Sequence, residues 1–200
     1  PTELRTKESQ APLKPLSPKT KNKEQLPPRP VKEAPKDFRP GAKDGKDGVQ
    51  VGITNTSNLP VESIEQEYPL RVEEYGFVED SGGAGKYRGG MGLRRVLTPV
   101  DHECVFNGAG ERFRYQPWGL FGGQAGASGR FMIEDADGKR RLDDKPNEVH
   151  IELGTKITVE TPGAGGYGQP CERTSEALKR DANSGKFTAD YIQKNYKTIG

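Results

Sequence analysis

Asn55, Thr56, Asn58 and Glu62 form the most chemically loaded stretch of this 200-residue sequence. An Asn amide both donates and accepts, so two of them suit the N–H and C=O edge of a cyclic amide or imide, with Glu62 placed to orient them. The same residue types also stabilise turns through side-chain to backbone hydrogen bonds. Thr56 fits the turn role better, and for Asn55 and Asn58 both readings stay open. Arg88 stands among glycines, where a guanidinium can clamp a carboxylate with two parallel hydrogen bonds. The plainer alternative is a structural ion pair with an acid such as Asp80. Asn55, Asn58, Glu62 and Arg88 are therefore the candidate substrate-binding residues, and no catalytic residue is assigned.

Other chemistry is poorly supplied. His102 and His150 are the only histidines, and neither sits in the cluster of about three ligands that a catalytic metal needs. Cys104 and Cys171 are far apart and fit no zinc spacing; Cys104 lies in an apolar alternation and reads as a buried small residue. The glycine blocks Gly83-Ala84-Gly85 and Gly89-Gly90-Met91-Gly92 could offer amides to an anion. They lack the lysine-serine/threonine ending of a nucleotide loop, and no good helix follows them. Tight turns and close backbone packing are the expected use of these glycines. Trp118, the sole tryptophan, is expected in the core or at a subunit interface.

The elements that must position these residues are short. Residues 49–53 alternate as a half-buried strand would, and 61–67 suit a brief helix ahead of Pro69. Leu70–Val78 reads as a strand bulged or bent near Gly76. Further β runs are expected at 92–97, 103–107, 130–134, 148–152 and 156–161. Asp135-Ala136-Asp137-Gly138 closes a hairpin. Thr174–Ala182 and Thr188–Tyr196 look helical, with Thr188 as an N-cap. The fold class is mainly β: a glycine-rich sandwich or barrel-like domain with short C-terminal helices and a disordered N-terminal tail. The boundaries are 1–46 for a Pro/Lys-rich tail or linker, 47–170 for the β domain and 171–200 for the helical extension.

Composition excludes several classes. Residues 1–46 hold nine Lys and three Arg against six acids, a net of +6, so the rest of a chain with net charge +2 carries −4. The basic pI of about 8.6 therefore belongs to the tail, and nucleic-acid binding is not expected. No run is long enough for a membrane helix and no signal-peptide core appears near the start. Two cysteines do not make a secreted framework, so a reducing, cytoplasmic setting is expected. The sequence opens on Pro1, as a processed chain or a piece of a longer one would.

Five polar and glycine-rich blocks stand in a fixed order: Gly52-Ile53-Thr54-Asn55-Thr56-Ser57-Asn58-Leu59-Pro60-Val61-Glu62, then Glu67-Tyr68-Pro69-Leu70-Arg71-Val72, then Asp80 through Gly92, then Pro117-Trp118-Gly119-Leu120-Phe121-Gly122-Gly123, then Glu160 through Gly168. In this order they resemble the C-terminal third of the hydantoinase B / 5-oxoprolinase family. That family includes the B-type polypeptide of N-methylhydantoinase, the oxoprolinase C-terminal half and related components of acetone and acetophenone carboxylases. Asp181 through Tyr196 resembles the family's closing segment, so the likeness spans about residues 48–200.

The resemblance implies an enzyme subunit that opens cyclic amides such as hydantoins or 5-oxoproline. The alternatives are a subunit of an ATP-dependent ketone carboxylase, or a non-catalytic assembly module of such a complex. It implies that this chain binds no cofactor itself: ATP belongs to a hydantoinase A-type partner, and a divalent metal to the N-terminal portion of a B-type subunit. A hetero-oligomer follows, together with inactivity of the isolated chain.

Overall fold

The computed structural model describes residues 43–49 and 58–196, all within the compact unit Lys36–Gly200. The strand expected over 49–53 and the candidate Asn55 lie outside the described residues, except for Val49.

A five-stranded antiparallel sheet dominates. Its strands are β1 (Leu70–Phe77), β2 (Leu93–Pro99), β4 (Arg130–Asp135), β5 (Gly138–Arg141) and β7 (Lys156–Glu160), in the order β1-β2-β7-β4-β5. β3 (Cys104–Phe106) and β6 (Val149–Ile151) pair as a small second sheet. Facing side chains close a core between the layers: Ile133, Ile151 and Ile157 are buried, with Cys104, Phe106, Leu142, Val149 and Val159 around them. This is a sandwich with one small layer, mainly β as expected. The β4–β5 hairpin turns where the sequence placed it, with Asp135 paired to Gly138. Asp135 Oδ1 accepts from the Asp137 amide at 3.0 Å, and Gly138 takes a left-handed φ of 114°.

The other sheet face is polar because strand periodicity puts every second residue there. The row Gly76–Arg94–Glu160–Arg130 crosses four strands. In it the buried Glu160 carboxylate accepts from Arg94 at 2.8 Å and from Arg130.

Three details depart from expectation. The register of β1 shifts between Val72 and Glu74 rather than at Gly76, which stays in the ladder opposite Arg94. Cys104 is only half-buried, and that burial pushes its thiol pKa up. Trp118 is 63% exposed, which departs from the core half of its expected placement and leaves the interface half standing.

Short helices bracket the sheet. α1 (Val61–Glu67) precedes β1, and Glu65 accepts from the Val72 amide at 2.9 Å. α2 (Ser175–Asn183) is capped by Thr174, and α3 (Ala189–Asn195) by Thr188, whose hydroxyl accepts from the Tyr191 amide. These two helices, their linker and the C-terminal cap of α3 supply Leu178, Phe187, Tyr191, Ile192 and Tyr196, which pack on Ala84 and Met91 as a second core. Among the described residues no helix is long and apolar enough to cross a membrane.

Candidate functional site

The glycine blocks meet in space. Three segments, 81–92, 119–127 and 162–168, run against one another and exchange backbone hydrogen bonds. The Gly83 amide donates to Ala164 O (2.8 Å), Gln124 to Ala84 O (2.7 Å), Gly166 to Gln124 O (2.9 Å), Ala127 to Ser81 O (2.8 Å) and Gly163 to Ala127 O (3.0 Å). The separation admits no side chain: a Cβ on Gly163 would fall on the Ser81 carbonyl, and one on Gly89 on the Ala164 carbonyl. Glycine is required there by close approach rather than by φ.

This layering also decides the fate of the amides. Gly89 donates to Gly83 O, Lys86 to Gly168 O and Tyr87 to Tyr167 O. Arg88 donates to Asp44, Met91 to Asp47 and Gly92 to the Ser81 hydroxyl. With these amides engaged, the 83–92 loop does not fit a phosphate, and no nucleotide chemistry is derived through it.

Tyrosines from α3 and its C-cap close one border of the layers. Tyr191 donates its hydroxyl to Gly82 O at 2.8 Å; burial and the nearby Asp80 charge push its pKa up to about 12. Tyr196 accepts from the Gly85 amide at 3.4 Å, and burial pushes its phenol well above the ordinary range.

Beside this border lies a buried ionic hub. Asp181, 4% exposed, receives Arg88 Nε at 3.1 Å, Arg173 Nε at 3.1 Å and Arg173 Nη2 at 2.6 Å. Asp44 takes Arg173 bidentately at 2.7 and 2.8 Å. Asp47 takes Arg88 bidentately at 2.6 and 3.1 Å and stands 3.4 Å from Lys186 Nζ. Burial alone would raise the Asp44 carboxyl; Arg173 and Arg88 outweigh it and hold the pKa below its usual value. Asp47 is lowered in the same way by Arg88, the Met91 amide and Lys186. Both guanidiniums are held above their ordinary pKa by these carboxylates, against burial.

Arg88 is thus an ion-pair residue, though not with Asp80. Its Nε and both Nη groups are taken by Asp181, Asp47 and Gly89 O. Asp80 instead accepts from the Thr188 amide and hydroxyl, each at 2.8 Å, and anchors α3. Asn58 is exposed and donates to the Tyr75 hydroxyl at 3.0 Å; Glu62 is exposed in the first turn of α1. Among the described residues neither shares a hydrogen bond or ion pair with Arg88, so the structure does not join the candidates into one site.

The hub itself was not anticipated. Asp44 and Asp47 fall either side of the boundary drawn at residue 46. The signal for them was Lys43-Asp44-Gly45-Lys46-Asp47-Gly48, where acids and glycines replace the Pro/Lys pattern. Among the described residues no group of three His, Cys, Asp or Glu could hold a metal ion.

Glycine-layered backbone sealed by an ionic hub and set on an antiparallel sheet defines a packed β unit. Residues 40–170 match the model of the Hydantoinase B/oxoprolinase family, and the chain belongs to that family. It is 36% identical over 157 residues to the B-type polypeptide of a putative D-/L-hydantoinase from a Pseudomonas species, covering 77% of this chain and 26% of that protein. Among solved structures it superposes on the ATP-dependent caprolactamase of Pseudomonas jessenii with a TM-score of 0.60 at 26% identity, over 70% of this chain and 25% of the other. It superposes on an acetone carboxylase with a TM-score of 0.64 at 20% identity, over 77% of this chain and 25% of the other. The chain therefore spans about a quarter of the length of these relatives.

Proposed function

We propose that this chain is the glycine-rich β part of a B-type subunit in an ATP-dependent enzyme that opens cyclic amides. The observation that carries the reading is the family match over residues 40–170, which takes in all three layers of the glycine mesh. The hydantoinase and caprolactamase relatives act, by their names, on cyclic amides. The likeness to acetone carboxylase is one of fold, so a ketone substrate rests on less.

In this reading the chain works beside an A-type subunit that handles ATP and the N-terminal portion of a B-type polypeptide that carries the metal ligands. The assembly is a hetero-oligomer of the cytoplasm, in keeping with two free cysteines. This chain's share is to form and stiffen a wall of the substrate chamber. Asn58, just before α1, and Glu62, in its first turn, are the exposed polar groups it offers to substrate, and Asn55 belongs to the same proposal from sequence alone.

The test is reconstitution. The full chain is combined with an A-type subunit and the remaining portion of a B-type polypeptide, and hydantoin, 5-oxoproline and caprolactam are offered with and without ATP. Ring opening coupled to ADP release, absent when this chain is omitted, supports the proposal. Ring opening that does not depend on this chain overturns it, as does bicarbonate fixation into acetone by the same assembly.

A further inference from the structure

The segment from Arg112 to Phe121 displays side chains that water does not favour. Tyr115 is 72% exposed, Trp118 63%, Leu120 50% and Phe121 44%. Within ten residues of chain, Arg112 stacks over the Trp118 ring with its guanidinium carbon 4.4 Å from the centroid, and Phe121 and Leu120 both adjoin Tyr167. Backbone strain marks both ends, since Arg112 (φ 60°) and Phe121 (φ 52°) hold left-handed conformations that non-glycine residues rarely adopt. Beneath the patch, Leu120 donates its amide to Gly166 O at 2.9 Å, so the display is braced by the glycine layers. Arg112 and Arg114 are exposed and have no ion-pair partner among the described residues.

Exposed Trp, Tyr, Phe and Arg on one short segment are the composition of an interface hot spot. We propose that this patch is the face on which the remainder of a B-type polypeptide seats. This rests on the family reading above. In the relatives this unit is a quarter of one long chain, so the other three-quarters are tethered beside it and supply a ready occupant for an apolar face. The partner surface is defined by chemistry: an apolar hollow for Trp118 and Phe121, rimmed by carboxylates facing Arg112 and Arg114.

Trp118, the sole tryptophan, gives a direct test. The full chain is labelled with 5-fluorotryptophan, so that it carries a single fluorine resonance. The probe is the B-type polypeptide of the Pseudomonas hydantoinase lacking the quarter that matches this chain, in a preparation that rebinds its own excised quarter. The expected result is a saturable shift of the Trp118 resonance, with binding weakened at least tenfold by Tyr115→Ser or Phe121→Ser. Tyr68→Ser, at an exposed tyrosine beside β1, binds as the unaltered chain does. Binding that leaves the resonance unmoved overturns the surface and spares the proposed subunit role. Failure of the probe to take up this chain overturns both the surface and the proposed subunit role. A resonance that moves with the chain's own concentration, without probe, overturns the proposal in favour of self-association.

Discussion

Arg88 and Arg173 close on opposite oxygens of one carboxylate, that of Asp181: Arg88 Nε reaches Oδ1 at 3.1 Å and Arg173 Nη2 reaches Oδ2 at 2.6 Å. The two arginines come from a glycine loop and from the turn before α2, so the carboxylate ties two parts of the chain that share no strand. Two buried cations would repel without it. Breaking a buried pair by removing one partner costs about 3–5 kcal/mol. Asp181→Ala is therefore expected to lower unfolding free energy by about that much in urea melts, with Asp181→Asn intermediate. A loss within the noise of an exposed substitution such as Glu62→Ala would refute the hub's structural role.

The same hub sets an acid limit. Asp44 and Asp47 have folded pKa values below the ordinary 3.8, so their contribution is fully present above that value. It drains as pH falls through their lowered folded values, because the unfolded chain then binds more protons. Stability measured from pH 7 downward should hold with respect to this hub until about the ordinary carboxylate range and then fall. Asp44→Asn with Asp47→Asn should lower stability at pH 7 and flatten that acid limb. An unchanged limb in the double variant would show that other carboxylates govern it.

The mesh makes an opposite pair of predictions for two glycines. Gly89→Ala must push a methyl group into the Ala164 carbonyl, and such overpacking costs about 1–3 kcal/mol or more. Gly76 has open space around its Cβ and no left-handed φ. Gly76→Ala should be neutral, or stabilising by about 0.4–1 kcal/mol through the unfolded chain. Thermal melts of both variants, side by side, check the contrast.

Local elements were readable because their signals are local. The α1 span 61–67, the 135–138 turn and the Thr188 cap all follow from neighbours within a few residues. The glycine blocks announced close packing, yet not which backbone each would meet, since the 83–92 loop meets segments some 40 to 80 residues away. Arg88 was recognisable as an ion-pair residue, but its partners were not, because Asp47 and Asp181 are remote in sequence while Asp80 was merely near. Residue type alone suits Trp118 to a core or an interface, and its 63% exposure depends on contacts remote in sequence. The candidates Asn58 and Glu62 rest on chemistry alone, and the fold gives them no common centre with Arg88.

That separation yields the last prediction, made in the reconstituted enzyme. Asn58 and Glu62 are exposed, and Asn58 has one side-chain bond, to Tyr75, so Asn58→Ala and Glu62→Ala should change the melting temperature little. If they touch substrate, their loss should appear in kcat/KM. A side-chain hydrogen bond is worth about 0.5–1.5 kcal/mol, or roughly two- to tenfold. Arg88→Lys should do the reverse: it keeps the charge but loses the bidentate grip on Asp47 and the bond from Nε to Asp181. Its effect should fall on stability, with KM unchanged in whatever fraction stays folded. Should Arg88→Lys instead fold normally and raise KM, the guanidinium would be a substrate clamp after all, and the hub would have to open during binding.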